Sequence, residues 1–296
     1  MHTLQICLWG LETGALYGLI ALAVVIIYKA TKVLNIAQGA IVMMCAYLSY
    51  TVTSQEFLPM WAGILLSVGV AAALGLLLDR AFMRPLVGQP ILSLIMVTIA
   101  LMALFNGLAT IFWGEAGGWR FFDPPIIAKG SIEIGEILLL KQQSVGFIVA
   151  IVLFGLCMLF FKYAKLGLGM RATAEDHQVA KVLGVPVMFV FASTWALATI
   201  ISVAGGIVLG HINGINLGMS NIGLKALACS LIGGLDSIPG ALLAGLMVGV
   251  LEMLAGAYID PLVGGGLMDI FPFIVMIIII YFRPYGFFGL ERIERV

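Results

Sequence analysis

The stretch KYAKLGLGMRATAEDHQVAKVLGVP, residues 162–186, is polar and charged, and it separates apolar runs at residues 145–161 and 187–209. An α-helix rises about 1.5 Å per residue, so runs of about 20 apolar residues cross the ~30 Å hydrocarbon core of a bilayer. A charged stretch between two such runs predicts a loop in water at the membrane surface. Because short cytoplasmic loops retain Lys and Arg, we expect loop 162–186 to be cytoplasmic.

The composition of the whole chain agrees with a membrane setting. Hydrophobic residues make up 62% of the chain and charged residues only 10%, whereas soluble domains have roughly 45–50% and about 25%. The net charge is zero, so no basic excess points to nucleic acid. The four cysteines stand singly in apolar runs without CxxC spacing, so we expect no disulfide framework and no metal site.

Apolar runs of spanning length predict an all-α, polytopic transmembrane helical bundle. It has about eight spans plus one half-helix, in a single domain over residues 1–296. The half-helix is residues 222–234. It must run toward the cytoplasm, and residues 240–258 must cross back to the outside. The sequence GGLDSIPG forms the reversal between them. Within it, Asp236 is predicted to be a turn residue bonded to backbone amides. The full spans are predicted at 4–28, 36–52, 60–78, 91–113, 145–161, 187–209, 240–258 and 267–282.

The basic residues set the predicted orientation. With loop 162–186 inside, three basic side chains fall outside, in or beside an external loop at 114–143, and all the others except Lys225 of the half-helix are cytoplasmic. This distribution places the N-terminus outside and the C-terminus in the cytoplasm. The three external residues are Arg120, Lys129 and Lys141.

The cytoplasmic loop contains the signals of a short helix. Thr173 followed by Asp176 is typical of a capping box, and Glu175 beside it suits the positive end of the helix dipole. Gly184 fits the left-handed position that ends a helix, and Pro186 prevents continuation. These signals predict a helix of about three turns that begins at Thr173.

The predicted helix is amphipathic. Val179, Val182 and Leu183 share one face at the i, i+3 and i+4 spacing, and most charged side chains lie elsewhere. Two interpretations remain open from this pattern: a docking site for a soluble partner, or an interfacial helix that lies on lipid.

Polar groups inside the spans are candidates for a transport path, since interruptions of hydrophobic segments point to such sites. The interruptions lie at residues 35–39 and 233–240. Buried amides also serve as interhelical glue, which is the alternative reading of each residue. The candidates are Asn35, Gln38, Gly39, Ser93, Asn106, Asn213, Gly233, Gly234, Ser237, Pro239 and Glu252.

Acidic residues in the spans allow a second class of function. Glu12, Glu252, Asp236 and Asp269 are costly in hydrocarbon and would normally face a functional interior. If Glu12 and Glu252 couple to a proton gradient, the chain is a secondary, ion-coupled transporter. An enzyme is the least favoured class, because the three histidines are scattered and no HExxH motif or nucleophile elbow is present.

Four stretches, taken in order, resemble the permeases of branched-chain amino acid ABC importers. The resemblance covers nearly the whole chain. Gln38 stands where that family more often has His, and Phe287 where it has Leu, and the family also includes permeases for urea, short amides and aromatic acids. The stretches are YGLIAL (17–22) with LNIAQG (34–39); RATAED (171–176) with Ala180 and LGV (183–185); KA (225–226) with GG (233–234) and SIPGA (237–241); and RPYGFFG (283–289).

This resemblance implies a permease subunit of the bacterial inner membrane, with a periplasmic N-terminus. It would import branched-chain or other hydrophobic amino acids, or related small amides or acids. Implied partners are a second homologous permease, more often a different chain than a copy, two ATPase subunits and a periplasmic binding protein. The ATPases would bind ATP and Mg²⁺, because this chain has no GxxxxGK[ST] phosphate loop; no cofactor and no catalytic residue is expected here. The coupling residues implied are Arg171, Thr173, Glu175, Asp176, His177, Ala180, Lys181, Leu183 and Gly184.

Overall fold

The computed structural model describes residues 2–54, 59–114, 119–128, 130–134, 137–175 and 177–289. Helix dominates this part of the chain, and the predicted spans at 60–78, 91–113 and 267–282 have the predicted bounds. The elements are α1 (His2–Thr31), α2 (Gln38–Thr53), α3 (Met60–Leu78), α4 (Ile91–Trp113), β1 (Ser131–Ile134), β2 (Ile137–Leu140), α5 (Lys141–Tyr163), α6 (Lys165–Glu175), α7 (His177–Val182), α8 (Val187–Asn213), α9 (Met219–Gly233), α10 (Ile238–Tyr258), α11 (Asp260–Val263) and α12 (Leu267–Phe282).

Helix α1 is the centre of the bundle. Residues 14–27 are buried without a break, and α1 packs against α2, α5, α8, α9 and α10. A helix surrounded by protein on every side must be apolar all round, which is the pattern of this stretch. The outer helices α3, α4 and α12 instead expose many large apolar side chains, as lipid-facing or partner-facing helices do.

The long helices alternate in direction between two ends of the bundle. The hairpin end carries β1 and β2, near the start of α1, where the Trp9 Nε1–H donates to Leu138 O. The coupling end carries α6 and α7, near the last turn of α1. Helix α9 runs from the hairpin end to the coupling end and α10 returns, which confirms the crossing pattern predicted around GGLDSIPG.

The helices differ in length, as the predicted spans do. Within the described residues, six helices are long and apolar enough to cross a membrane. Helices α2 and α12 have 16 residues each and α9 has 15, so they reach only about 24 Å. Helix α2 packs against α8 and α9. Protein therefore takes the place that water has around the ends of a full-length span.

Small residues bring α1 and α10 into backbone contact. They recur every four residues on both helices, a spacing that predicts close approach: Gly10, Gly14 and Gly18 on α1, and Ala241, Gly245 and Gly249 on α10. A Cβ at Gly10 would lie 2.6 Å from Val250 Cα, and one at Gly245 would lie 2.6 Å from Gly18 N. Real Cβ atoms do not approach so closely, so these glycines are required by the packing.

The loop 114–143, predicted to be external, contains a β-hairpin that the all-α expectation misses. Strands β1 and β2 pair in antiparallel register, with Ser131 opposite Leu140 and Ile134 opposite Ile137. The loop is also held to the end of α8, because His211 Nε2 accepts from the backbone N–H groups of Ile126 (3.0 Å) and Ile127 (3.2 Å). Residues 115–118, 129 and 135–136 of this loop lie outside the described residues.

Candidate functional site

The coupling end carries a surface segment made of α6 and α7, here named the coupling segment (residues 165–184). The prediction that its helix begins at Thr173 is wrong. Helix α6 begins at Lys165, and Thr173 lies in its last turns with its Oγ1 donating to Gly169 O at 2.8 Å. A threonine inside a helix commonly bonds the carbonyl four residues back, and this is the bond seen here. The predicted cap partner, Asp176, lies outside the described residues.

The segment is anchored by small and buried residues. Met170 is fully buried and Ala180 nearly so. Gly167 lies so close to the end of α5 that a Cβ there would be 2.5 Å from Phe160 O. Contacts with α1, α5 and α8 hold α6 against the bundle.

The predicted end of the segment is confirmed. Gly184 has φ of +83°, and Val185 N–H donates to Ala180 O at 3.0 Å, the bonding expected of a left-handed helix stop. The preceding residues project apolar side chains into the open: Val182 is 87% exposed and Leu183 75%.

Charged residues of the segment are exposed as well. Arg171, Glu175 and Lys181 are exposed. His177 is the first residue of α7, and its side chain lies outside what the structure describes. Thr173 and Ala180 face inward, whereas the other coupling residues whose side chains are described are exposed on this segment: Arg171, Glu175, Lys181, Leu183 and Gly184.

The first group of predicted path residues is packed among helices. Asn35 Nδ2 donates to Gln38 Oε1 (2.9 Å), and Gln38 Nε2 donates to Ser202 Oγ on α8 (2.7 Å). Both amides are fully buried. A Cβ at Gly39 would lie 2.7 Å from Gly223 Cα, so this glycine lets α2 touch α9. These hydrogen bonds and the close glycine contact tie neighbouring helices together.

The predicted residues of α4 and α8 lie apart from that group. Asn106 Nδ2 donates to Met102 O of its own helix at 2.9 Å, and Ser93 N–H donates to Pro90 O at 2.9 Å in the first turn of α4. Asn213, the last residue of α8, is exposed.

The reversal between α9 and α10 is closed by the C-terminal stretch. Phe287 N–H donates to Ile232 O (2.9 Å) and Phe288 N–H to Gly233 O (3.2 Å), so residues 283–289 satisfy carbonyls at the end of α9. Gly234 has φ of +96° and lies against Gly289. Two of the sequence motifs therefore meet in space.

Side chains complete the reversal. Ser237 caps α10, with its Oγ accepting from Gly240 N–H at 3.1 Å, and Pro239 is exposed in the first turn. Asp236 lies in the turn as predicted, but the partner of its carboxylate is Lys32 Nζ at 2.6 Å rather than the predicted backbone amides. The cation lies far away in sequence, at the end of α1, and the folded bundle brings it to the turn.

The hairpin end contains a cavity of ≈ 330 Å³ between α1, α5, α8, α9, α10 and α12, here named the hairpin-end cavity. Asn213 and Glu252 line it. Lys225, on α9, donates to Glu252 Oε1 and to Asp269 Oδ1, each at 2.8 Å. Tyr17 Oη donates to the same Glu252 oxygen at 3.2 Å.

Lys225 is the functional candidate that reasoning from the sequence missed. A lysine within a short apolar run carries the same desolvation cost as the acidic residues of the spans. Its charge in an apolar run was therefore a signal that could have identified it. Glu12, paired in the ion-coupled hypothesis with Glu252, bonds elsewhere: Ser144 Oγ of α5 donates to Glu12 Oε1 at 2.6 Å.

Residues 6–280 match the family described as the permease component of branched-chain amino acid transport systems. The chain belongs to this family. The resemblance identified from four sequence stretches is confirmed, and the first three of those stretches lie within the matched residues. The chain is accordingly a multi-pass inner-membrane permease subunit of the branched-chain amino acid ABC transporter type.

Curated members of the branched-chain amino acid permease family are similar to this chain over their whole length. The high-affinity branched-chain amino acid transport system permease protein LivH of Salmonella typhimurium is 26% identical over 312 residues, covering 100% of this chain and 98% of the relative. BraD of Pseudomonas aeruginosa is 29% identical with the same coverage. A probable LivH of Methanocaldococcus jannaschii is 26% identical, covering 95% and 92%.

Among solved structures, PsaBC from Streptococcus pneumoniae in complex with Fab is similar at 16% identity, with a TM-score of 0.48, covering 94% of this chain and 91% of that chain.

Proposed function

We propose that this permease imports branched-chain or other hydrophobic amino acids, with related small amides or acids as the wider substrate class. A periplasmic binding protein delivers the substrate, and ATP hydrolysis in partner subunits drives its translocation. The N-terminus and the hairpin end lie in the periplasm, and the coupling segment and the C-terminus lie in the cytoplasm. The full-length similarity to LivH and BraD, whose names state this substrate class, supports the choice of solute.

The observation that carries the mechanism is the construction of the coupling segment. Its inner side is anchored by Met170 and Ala180, while Val182 and Leu183 are exposed at its tip. Exposed apolar side chains on a segment that also carries exposed charges are typical of a protein interaction site. A docked ATPase that moves this tip moves α6 as a rigid lever, and the contacts of α6 with α1, α5 and α8 pass the movement to the bundle.

The assembly implied contains two permeases and two ATPases. The second permease is a homologous chain rather than a copy, and the ATPases hold ATP and Mg²⁺. The exposed apolar faces of α3, α4 and α12 are the surfaces available to lipid and to the second permease.

Co-purification tests the docking. Val182→Asp and Leu183→Asp place a charge in the proposed apolar contact, so the co-expressed ATPases should be lost from the purified complex. Leu262→Asp is the matched control, because Leu262 is an equally exposed apolar residue (84%) at the hairpin end. Equal recovery of ATPase with the tip variants and with the control would exclude the coupling segment as the docking site.

Uptake assays separate this function from the ion-coupled alternative that uses Glu12 and Glu252. Uptake should persist when a protonophore collapses the proton gradient and stop when ATP is removed. The opposite pattern would favour the secondary transporter.

A further inference from the structure

The hairpin-end cavity has two kinds of wall. One wall carries the charged group of Lys225, Glu252 and Asp269, and most of the other lining residues are apolar. The lining also includes the polar residues Thr13, Tyr17, Gln143 and Asn213. A cavity of ≈ 330 Å³ falls in the range of sites for small organic molecules, about 300–1,000 Å³. The apolar wall consists of Leu16, Leu209, Ile212, Ile222, Met253 and Met268.

The charged groups of this wall do not use all of their hydrogen-bonding capacity among the described residues. Glu252 is only 1% exposed, and its Oε2 is buried without a hydrogen-bond partner among the described residues. A buried carboxylate oxygen without a donor is costly, so such an atom calls for a ligand that donates to it. Lys225 uses two of its three N–H groups, one toward Glu252 and one toward Asp269.

The two carboxylates that hold Lys225 differ in exposure. The Glu252 side chain is 1% exposed, whereas the Asp269 side chain is 81% exposed. An ion pair with an exposed partner contributes little. A second carboxylate that enters the cavity can therefore take the place of Asp269 at Lys225 with little loss.

We propose that the hairpin-end cavity is a binding site for a small zwitterion with an aliphatic side chain. The ligand's ammonium donates to Glu252 Oε2, its carboxylate accepts from Lys225 Nζ in place of Asp269, and its aliphatic part packs on the leucine, isoleucine and methionine wall. Both charges of the ligand are paired, which offsets the cost of taking a zwitterion out of water. The site rests on the proposed import of amino acids and adds a substrate position inside this single subunit.

Analogues of leucine test the proposal on the unmodified protein. The full chain, purified alone in lipid nanodiscs, is tested for equilibrium binding of radiolabelled leucine, with leucinol and 4-methylpentanoate as competitors. Leucinol lacks the carboxylate and 4-methylpentanoate lacks the ammonium, so each should compete about 10–100-fold more weakly than leucine, the usual effect of losing one charge-assisted hydrogen bond. Absence of saturable leucine binding, or equal competition by either analogue, would overturn the proposal.

Variants then assign the two charges. Glu252→Gln and Lys225→Met should each weaken leucine binding about 10–100-fold. Lys32→Met is the control, because it breaks an ion pair of the same kind at the coupling end. Asp269→Asn should leave binding unchanged or tighter, since the ligand displaces Asp269; a loss as large as that of Lys225→Met would contradict the exchange. If either buried variant fails to fold, the analogue series decides.

The experiments distinguish failure of this binding site from failure of the proposed function. If the isolated chain does not bind leucine but the assembled complex imports it with ATP, the cavity is not the site and the proposed function stands. If the chain does not recover ATPases from the membrane, the proposed function fails whatever the cavity binds.

Discussion

Gly14 illustrates how single residues hold this bundle together. It faces Gly245 and Gly249 of α10, and a Cβ at Gly14 would lie 2.8 Å from Leu246 Cα. Gly14→Leu should therefore separate α1 from α10 and lower the free energy of unfolding by at least about 1–3 kcal/mol, the usual cost of overpacking. Thermal unfolding of the detergent-solubilised chain measures the effect.

Gly69→Leu is the matched control for this prediction. Gly69 lies on the exposed face of α3, and a Cβ there would meet nothing within 4 Å. Its substitution should change stability by no more than about 0.5 kcal/mol. Equal destabilisation by the two variants would show that the loss comes from replacing any glycine rather than from the α1–α10 contact.

Residue spacing predicted the glycine contact but not the partners of the charged side chains. A glycine every four residues on one helix indicates close approach whatever the partner is. The pairs Lys32 with Asp236 and Lys225 with Glu252 depend instead on which helices are neighbours. A single sequence carries no direct record of that.

At the scale of an element, the coupling segment shows which helix signals are reliable. The stop at Gly184 was predicted correctly, because only a residue tolerant of positive φ fits that position. The start at Thr173 was not, because threonine followed by an acidic residue occurs within helices too. The anchoring of α6 on the end of α5, through Gly167, determines where the helix begins, and this contact is tertiary.

The stop itself gives a testable prediction. Gly184→Val forces a β-branched residue to φ of +83°, a strain of about 1–2 kcal/mol. Relieving that strain displaces Val182 and Leu183, so docking of the ATPases should weaken about 5–30-fold, the equivalent factor in an equilibrium. A titration of purified ATPase onto the permease in nanodiscs measures the change.

Gly264→Val provides the comparison. Gly264 also has positive φ, +92°, and lies in open space at the hairpin end. It introduces similar strain far from the coupling segment, so ATPase affinity should be unchanged. A comparable loss with both variants would mean that general destabilisation, not the shape of the tip, controls docking.

For the whole molecule, the apolar runs and the basic residues were sufficient to predict the helices, their order and their alternating direction. Hydrocarbon permits few alternatives to helices that satisfy their own backbone. The hairpin-end cavity was not predictable in the same way. It is formed by side chains from six helices, and only Asn213, Glu252 and Asp269 among its residues had been noted as polar groups in the spans.

The orientation of the whole molecule yields the last prediction. Leu262→Cys at the hairpin end and Val182→Cys at the coupling end place thiols at residues that are 84% and 87% exposed. A Cys7→Ser background removes the one native cysteine that is not buried. In intact spheroplasts a membrane-impermeant maleimide should label Leu262→Cys but not Val182→Cys, because basic loops remain in the cytoplasm. After lysis both should react, which shows that each thiol is accessible. The reverse pattern in intact spheroplasts would place the coupling segment outside, and docking of ATPases there would be impossible.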